Sequence, residues 1–227
     1  MTLVQHKEAD VFTTADLRRR ASDVLTPPEL RINSGGDVSA GRSDFELNPE
    51  LEKMAGAQEN RPAAVLIPVL ERGERASVLF TQRTEDLPTH AGQISFPGGK
   101  MDADDANVLE TALREAREEI GLEADFIEAV GFLDDYVTST GYRIAPLVAV
   151  IRPGYSLTPD TSEVADIFDV PLDFLMSAQN HQLHTREWRG AQRLFYAMSY
   201  GERFIWGATA GMLRNLYECL YSPGTGT

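Results

Sequence analysis

The sequence predicts an α+β fold, a mixed β-sheet sandwiched between α-helices, on three observations. Apolar runs of strand length outnumber amphipathic helical stretches, hairpin signals alternate with isolated helices, and there is neither an internal repeat nor a regular βαβ rhythm. With 227 residues, 42% hydrophobic and 25% charged, the chain is expected to fold around one compact core with an extension, which excludes global disorder or a collagen-like repeat.

A helix is expected over 15–25, capped by Thr14 and halted by Pro27 and Pro28. Residues 31–57 are rich in Gly, Ser, Asp, Asn and Glu and read as a loosely docked polar connector. The expected division is an N-terminal extension over 1–60, a main domain over 61–222 and a flexible tail over 223–227. A chain beginning near Asn60 should then keep its chemistry unless the extension completes the core or a dimer.

Apolar runs at 63–70 and 76–82 around Gly73 form a hairpin signal. A short strand over 93–96 runs into Pro97-Gly98-Gly99. Asp104 or Asp105 then caps a helix that reaches Ile120 and ends at Gly121. Further strands are expected over 126–134, 143–151, 182–188, 193–200 and 203–205, with helices over 171–177 and 208–220.

Lys and Arg number 21 against 35 Asp and Glu, a net charge of −14 that disfavours nucleic acid or anionic lipid as partner. An anionic substrate would need local cations. The single cysteine, Cys219, excludes an intramolecular disulfide and a Cys-rich zinc site and fits a reducing compartment. No apolar signal core opens the chain, and no run approaches the roughly 18 apolar residues of a membrane span, so a cytoplasmic protein is expected. Whether it forms a homo-oligomer is left open.

The chemistry concentrates in Arg114-Glu115-Ala116-Arg117-Glu118-Glu119-Ile120-Gly121-Leu122. On a helix, Leu109, Ala112, Leu113, Ala116 and Ile120 form an apolar stripe, and Glu115, Glu118 and Glu119 stand beside it at i, i+3 and i+4. Three carboxylates on adjacent turns repel. Hard divalent cations bridging carboxylates and phosphate oxygens would relieve them, and so would a solvated face neutralised by Arg114 and Arg117. Gly98 and Gly99 permit either close backbone approach to a ligand or a tight turn.

Together these residues resemble the Nudix hydrolase signature, Gly-x5-Glu-x7-Arg-Glu-U-x-Glu-Glu-x-Gly-U with U aliphatic. Arg114, Glu115, Ala116, Glu118, Glu119, Gly121 and Leu122 match its second half. Counting back places Ala106 at the first glutamate and Lys100 at the glycine, so Gly99 lies one residue early, a one-residue insertion is implied, and Asp105 is the nearest carboxylate. The resemblance implies the Nudix fold and a metal-dependent attack of water on a pyrophosphate. Mg²⁺ or Mn²⁺ would be held by Glu115, Glu118 and Glu119 with the Gly99 carbonyl. Arg114 is expected to orient Glu119 or a neighbouring carboxylate. Glu119, Glu118 and Glu163 are equal candidates for the general base, and Glu163 also reads as the opening of a helical turn after Ser162.

Upstream, Leu79-Phe80-Thr81-Gln82-Arg83-Thr84, Gly92 and Phe96-Pro97-Gly98-Gly99 resemble the additional signature of the coenzyme A pyrophosphatase subfamily, Leu-U-Thr-x-Arg-Ser/Ala-x3-Arg-x3-Gly-x3-Phe-Pro-Gly-Gly. Thr84 replaces Ser or Ala, and Pro88 replaces an arginine. The implied substrate is coenzyme A or an acyl derivative, cleaved to 3′,5′-ADP and 4′-phosphopantetheine or its acylated form. Alternatives are another nucleoside diphosphate derivative such as ADP-ribose, or a non-catalytic nucleotide-binding domain. Arg83, His90 and Lys100 are the expected substrate cations, with Arg83 or His90 serving the 3′-phosphate outside the metal site. In Trp206-Gly-Ala-Thr-Ala-Gly-Met-Leu213 the small residues are expected to let a closing helix dock.

Overall fold

The computed structural model describes residues 11–33, 41–50, 52, 60–188 and 190–223. Its centre is a nine-stranded mixed sheet. Strand β1 spans Arg42–Ser43, β2 Arg61–Arg72, β3 Arg75–Arg83, β4 Ile94–Ser95 and β5 Gly98–Lys100. After helix α3 follow β6 Ile127–Phe132, β7 Tyr136–Val137, β8 Tyr142–Ile151 and β9 Val164–Pro171. Strands β10 Gln182–Trp188, β11 Ala191–Tyr200 and β12 Arg203–Trp206 form a separate antiparallel sheet. The helices are α1 Thr14–Ala21, α2 Pro28–Asn33, α3 Val108–Ile120, α4 Leu172–Leu175 and α5 Ala208–Leu220.

The main path runs β1-β7-β8-β2-β3-β4, with β5 on β2, β6 on β8 and β9 on β3. Strands β2 and β8 pair in parallel from Arg61↔Tyr142 to Leu70↔Ile151. A parallel pair needs a long crossover, and that crossover carries α3.

Because side chains alternate across a strand, β2 feeds two cores. Val65, Ile67 and Val69 face one side with Leu17, Leu213 and Leu216 of α1 and α5. Ala64, Leu66 and Leu70 face the other with Ala112, Ala116 and Ile120 of α3. The sheet is thus sandwiched between helices, the fold class the sequence implied.

Several local expectations are corrected. Thr13, not Thr14, caps α1, its hydroxyl accepting the Asp16 amide at 3.0 Å. Helix α1 stops at Ala21, before the prolines. Glu163 lies in a turn after Ser162, closed by the Val164 amide donating to the Asp160 carbonyl at 2.8 Å, and the unexpected strand β9 that follows is an edge strand whose Asp166 and Asp169 interrupt the apolar pattern. Gly98–Lys100 is strand, not turn, antiparallel to β2.

Described parts of the first 60 residues are integral to the core. Leu17, Ala21 and Leu25 are buried, Thr26 bridges Phe132, and β1 pairs with β7. Arg18 holds Glu128 through two bonds of 2.8 and 2.9 Å, and Arg31 meets the buried Asp135 at 2.5 Å. The reading of a loosely docked connector therefore fails for 31–33 and 41–50; the remainder of 31–57, apart from residue 52, lies outside the described residues. Removing residues 1–60 strips apolar side chains from the core, and the truncated chain is expected to lose cooperative melting by circular dichroism. The docking of α5 occurs as expected: Gly211 lies so close to Tyr136 that a Cβ there would overlap the phenol ring.

Candidate active site

Helix α3 begins at Asn107, whose Oδ1 accepts the amides of Leu109 and Glu110 at 3.0 and 3.1 Å. This corrects the expected cap at Asp104 or Asp105. Gly121 ends the helix in the left-handed conformation at φ 66°, which glycine adopts without Cβ strain. Burial of Ala112, Ala116 and Ile120 sets the helix rotation and with it the three carboxylates. Glu119 lies at the buried margin, 6% exposed, whereas the Glu118 side chain is 60% exposed.

Arg114 is the hub of one half of the site. Its Nε and Nη2 grip both oxygens of Asp105 at 2.9 Å, a forked guanidinium–carboxylate pair. Nη1 donates to Glu115 at 3.0 Å and Glu118 at 2.8 Å, and Nη2 to the Lys100 carbonyl at 3.2 Å. Asp105 also accepts the Asp102 amide and the Thr111 hydroxyl. These bonds, that to Arg114 foremost, hold its carboxyl down to about 2. The residue nearest the signature's first glutamate is therefore an anchor for the orienting arginine. The spacing gave no sign of this, because the inserted residue displaces the carboxylate in sequence while the loop restores it in space.

The other half gathers at Glu119. Its Oε2 accepts the Gly98 amide at 3.2 Å, and its Oε1 lies 3.7 Å from Arg83 Nη1. Arg83 Nη2 reaches Glu163 at 3.8 Å, and its buried Nε has no hydrogen-bond partner among the described residues. Two loops converge to make this arrangement. The β3–β9 register shifts between Gln82 and Arg83, and the loop before β9 is laced to α3 by Thr158 N–H to the Ile120 carbonyl and Asp160 N–H to the Glu119 carbonyl. Burial pushes the Glu119 carboxyl up to about 7; the Gly98 amide opposes the shift, and the charges of Glu115 and Glu163 add to it. Burial also raises Glu115.

The expected substrate cations divide. Arg83 stands beside the carboxylates of Glu119 and Glu163. His90 lies on the exposed loop at φ 58°, its Nδ1 2.7 Å from Gln93 Oε1, and Lys100 projects into solvent. Neither makes an ion pair among the described residues. Arg114 contacts Glu115 and Glu118 rather than Glu119.

The donor set fits a hard divalent cation in its chemistry. Glu115, Glu119 and Glu163 crowd like charge with Arg83 as the facing cation, and a Cβ on Gly99 would come within 2.6 Å of the Glu115 carboxylate, so backbone and carboxylate are in direct apposition. As they stand, Glu115 and Glu118 engage Arg114, and among the described residues no three acidic, histidine or cysteine side chains converge on a common point.

A glycine-bearing strand thus stands opposed to a carboxylate-rich helix, with arginines between them. The chain belongs to the Nudix family, hydrolases of pyrophosphate bonds: residues 60–194 match the NUDIX domain. An uncharacterized Nudix hydrolase NudL of Photorhabdus laumondii is 36% identical over 177 residues, covering 78% of this chain and 93% of that protein. The NudL protein of Yersinia pestis is 38% identical over 159 residues, covering 70% and 79%. Among solved structures, the NUDIX domain of Shewanella oneidensis NrtR, complexed with ADP-ribose, aligns at 20% identity and a TM-score of 0.40, covering 55% of this chain and 84% of that one. Nudix hydrolases generally require a divalent metal. Among the described residues no helix is long and apolar enough to cross a membrane.

Proposed function

We propose that the chain hydrolyses the pyrophosphate of coenzyme A or acyl-coenzyme A, giving 3′,5′-ADP and 4′-phosphopantetheine or its acylated form, in the cytoplasm. One observation carries the reading. The strand holding Leu79 to Arg83 and the segment Phe96-Pro-Gly-Gly99 meet at one carboxylate, Glu119, through Arg83 at 3.7 Å and the Gly98 amide at 3.2 Å. The residues that resemble the coenzyme A signature thus abut the carboxylate helix directly.

In this reading Glu115, Glu118, Glu119 and the Gly99 carbonyl would hold Mg²⁺ or Mn²⁺, which when bound supplies positive charge to the phosphate oxygens and acidifies water. Glu119, with its raised proton affinity and buried position, is the general base we assign, ahead of the exposed Glu118 and of Glu163 on its loop. Gly98 orients its carboxylate, and Arg114 positions Glu115 and Glu118. Arg83 faces the developing phosphate charge with donors to spare.

The test is incubation with coenzyme A, acetyl-coenzyme A and ADP-ribose in Mg²⁺, with products identified by mass. Formation of 3′,5′-ADP from coenzyme A faster than cleavage of ADP-ribose is expected. Untouched coenzyme A beside rapid ADP-ribose cleavage overturns the substrate while leaving the hydrolase in place.

A further inference from the structure

The small sheet β10–β12 has an outer face that nothing in the reaction uses. Met198 and Ile205 point inward and are fully buried. On the opposite face, where Ala197 is buried under its partner Trp206, the half-buried His184, Phe195 and Trp206 and the exposed Phe204 make a continuous aromatic cluster. His184 stacks on Phe195 at 5.9 Å and meets Phe204 edge-on at 5.6 Å, and Phe195 meets Trp206 at 5.5 Å. Phe204 is 41% exposed.

On the same face Arg186 and Arg193 are direct cross-strand partners. Like charges at that position repel, and the pairing is anomalous in a chain of net charge −14. Asp44 pairs with Arg193 at 2.7 Å and also accepts the Tyr136 hydroxyl and the Ser139 amide and hydroxyl, so Arg193 has its counter-charge. Arg186 is exposed, lies over the Trp206 ring at 5.8 Å, and has no carboxylate partner among the described residues. These two arginines, Glu187, Phe195, Trp206 and Gly207 line a cleft of about 270 Å³. Trp206 also walls a second cleft of about 430 Å³ with Gln82, Gly92, Ile94, Glu202, Arg203 and Phe204. Gln82, on the wall of this second cleft, directly precedes Arg83 in strand β3.

We propose that this face is a second subsite, which takes a phosphate-bearing nucleoside: the base lies against Trp206 and Phe195, and the phosphate meets Arg186 beside Arg193. Aromatic faces accept a base by stacking, and a guanidinium matches a phosphate through paired donors. An anion beside Arg186 supplies the counter-charge that Arg193 already has in Asp44. The proposal deepens the coenzyme A reading and rests on it for the source of the nucleoside, since the 3′-phosphate of that substrate is the extra anion to be held. It moves the selectivity for that phosphate away from Arg83 and His90.

The test titrates the full chain, in chelator, with 3′,5′-ADP, 5′-AMP and inorganic phosphate by calorimetry, and repeats it with Arg186→Ala and Arg186→Lys. We expect 3′,5′-ADP to bind tightest, Arg186→Ala to weaken it about tenfold and Arg186→Lys to weaken it less. In turnover, Arg186→Ala should lower the ratio of kcat/KM for coenzyme A over dephospho-coenzyme A by a similar factor. Unaltered 3′,5′-ADP affinity in Arg186→Ala overturns the subsite, as does phosphate alone binding as tightly as 3′,5′-ADP. If coenzyme A is not hydrolysed but 3′,5′-ADP binding still depends on Arg186, the substrate reading fails and the subsite stands. If coenzyme A is hydrolysed and Arg186→Ala moves neither measurement, the reverse holds.

Discussion

Two arginines approach the acidic helix from opposite sides, and they are used differently. Arg114 spends its donors on Asp105, Glu115, Glu118 and the Lys100 carbonyl, all within 2.8 to 3.2 Å. Arg83 stands off from Glu119 and Glu163 at 3.7 and 3.8 Å, with Nε unsatisfied. A saturated guanidinium fixes what it touches. One with spare donors can turn to a new anion without breaking a strong bond. In the proposed reaction the first therefore serves the architecture of the site and the second its chemistry.

The largest effect should come from Glu119, the buried carboxylate that Arg83 faces. Glu119→Gln keeps the shape and, in the proposed reaction, removes both the base and a metal donor, so turnover should fall by about 10²–10⁴-fold with the fold intact. Glu118→Gln, at an exposed position, should fall less. Equal activity of both variants and the unaltered chain, measured by phosphate-ester product formation, would dismiss the metal platform.

Next in size is Arg114→Ala, which leaves Asp105 buried without its cation. The arginine is one-quarter exposed, so the loss should be about 2 kcal/mol rather than the full buried-pair value. A urea midpoint unmoved by this variant would show that the clamp contributes nothing.

A graded effect follows from the raised proton affinity of Glu119. Its carboxyl rises from 4.5 to about 7 in the folded chain. Between those values the folded state holds a proton that the unfolded state releases, so stability falls as pH rises through that window. Urea midpoints taken in chelator from pH 5 to 8 should decline, and Glu119→Gln should flatten the decline. A rising midpoint that the variant leaves unaltered would contradict the assignment.

Much of this was legible in the sequence. The β2–β3 hairpin, α3 with its closing glycine, strand β10 and helix α5 each announce themselves by local period and punctuation. What escaped depends on distant parts of the chain. Strand β9 is held by pairing with β3 despite its aspartates. Asp105 finds Arg114 only because the loop folds back. Arg83 reaches Glu119 because the register shifts beside it, a feature with no local signature. The role of α1 was hidden by the polar stretch after it, although Leu17 and Ala21 already marked a buried stripe.

The division of labour between the arginines is tested most directly by measuring kcat/KM for coenzyme A and the urea midpoint on the same preparation of Arg83→Ala. Catalysis is expected to fall about a hundredfold while the midpoint moves by no more than a few tenths of a kcal/mol equivalent. A midpoint that collapses as in Arg114→Ala, with undiminished turnover in the folded fraction, would place Arg83 in the architecture and contradict its part in the reaction.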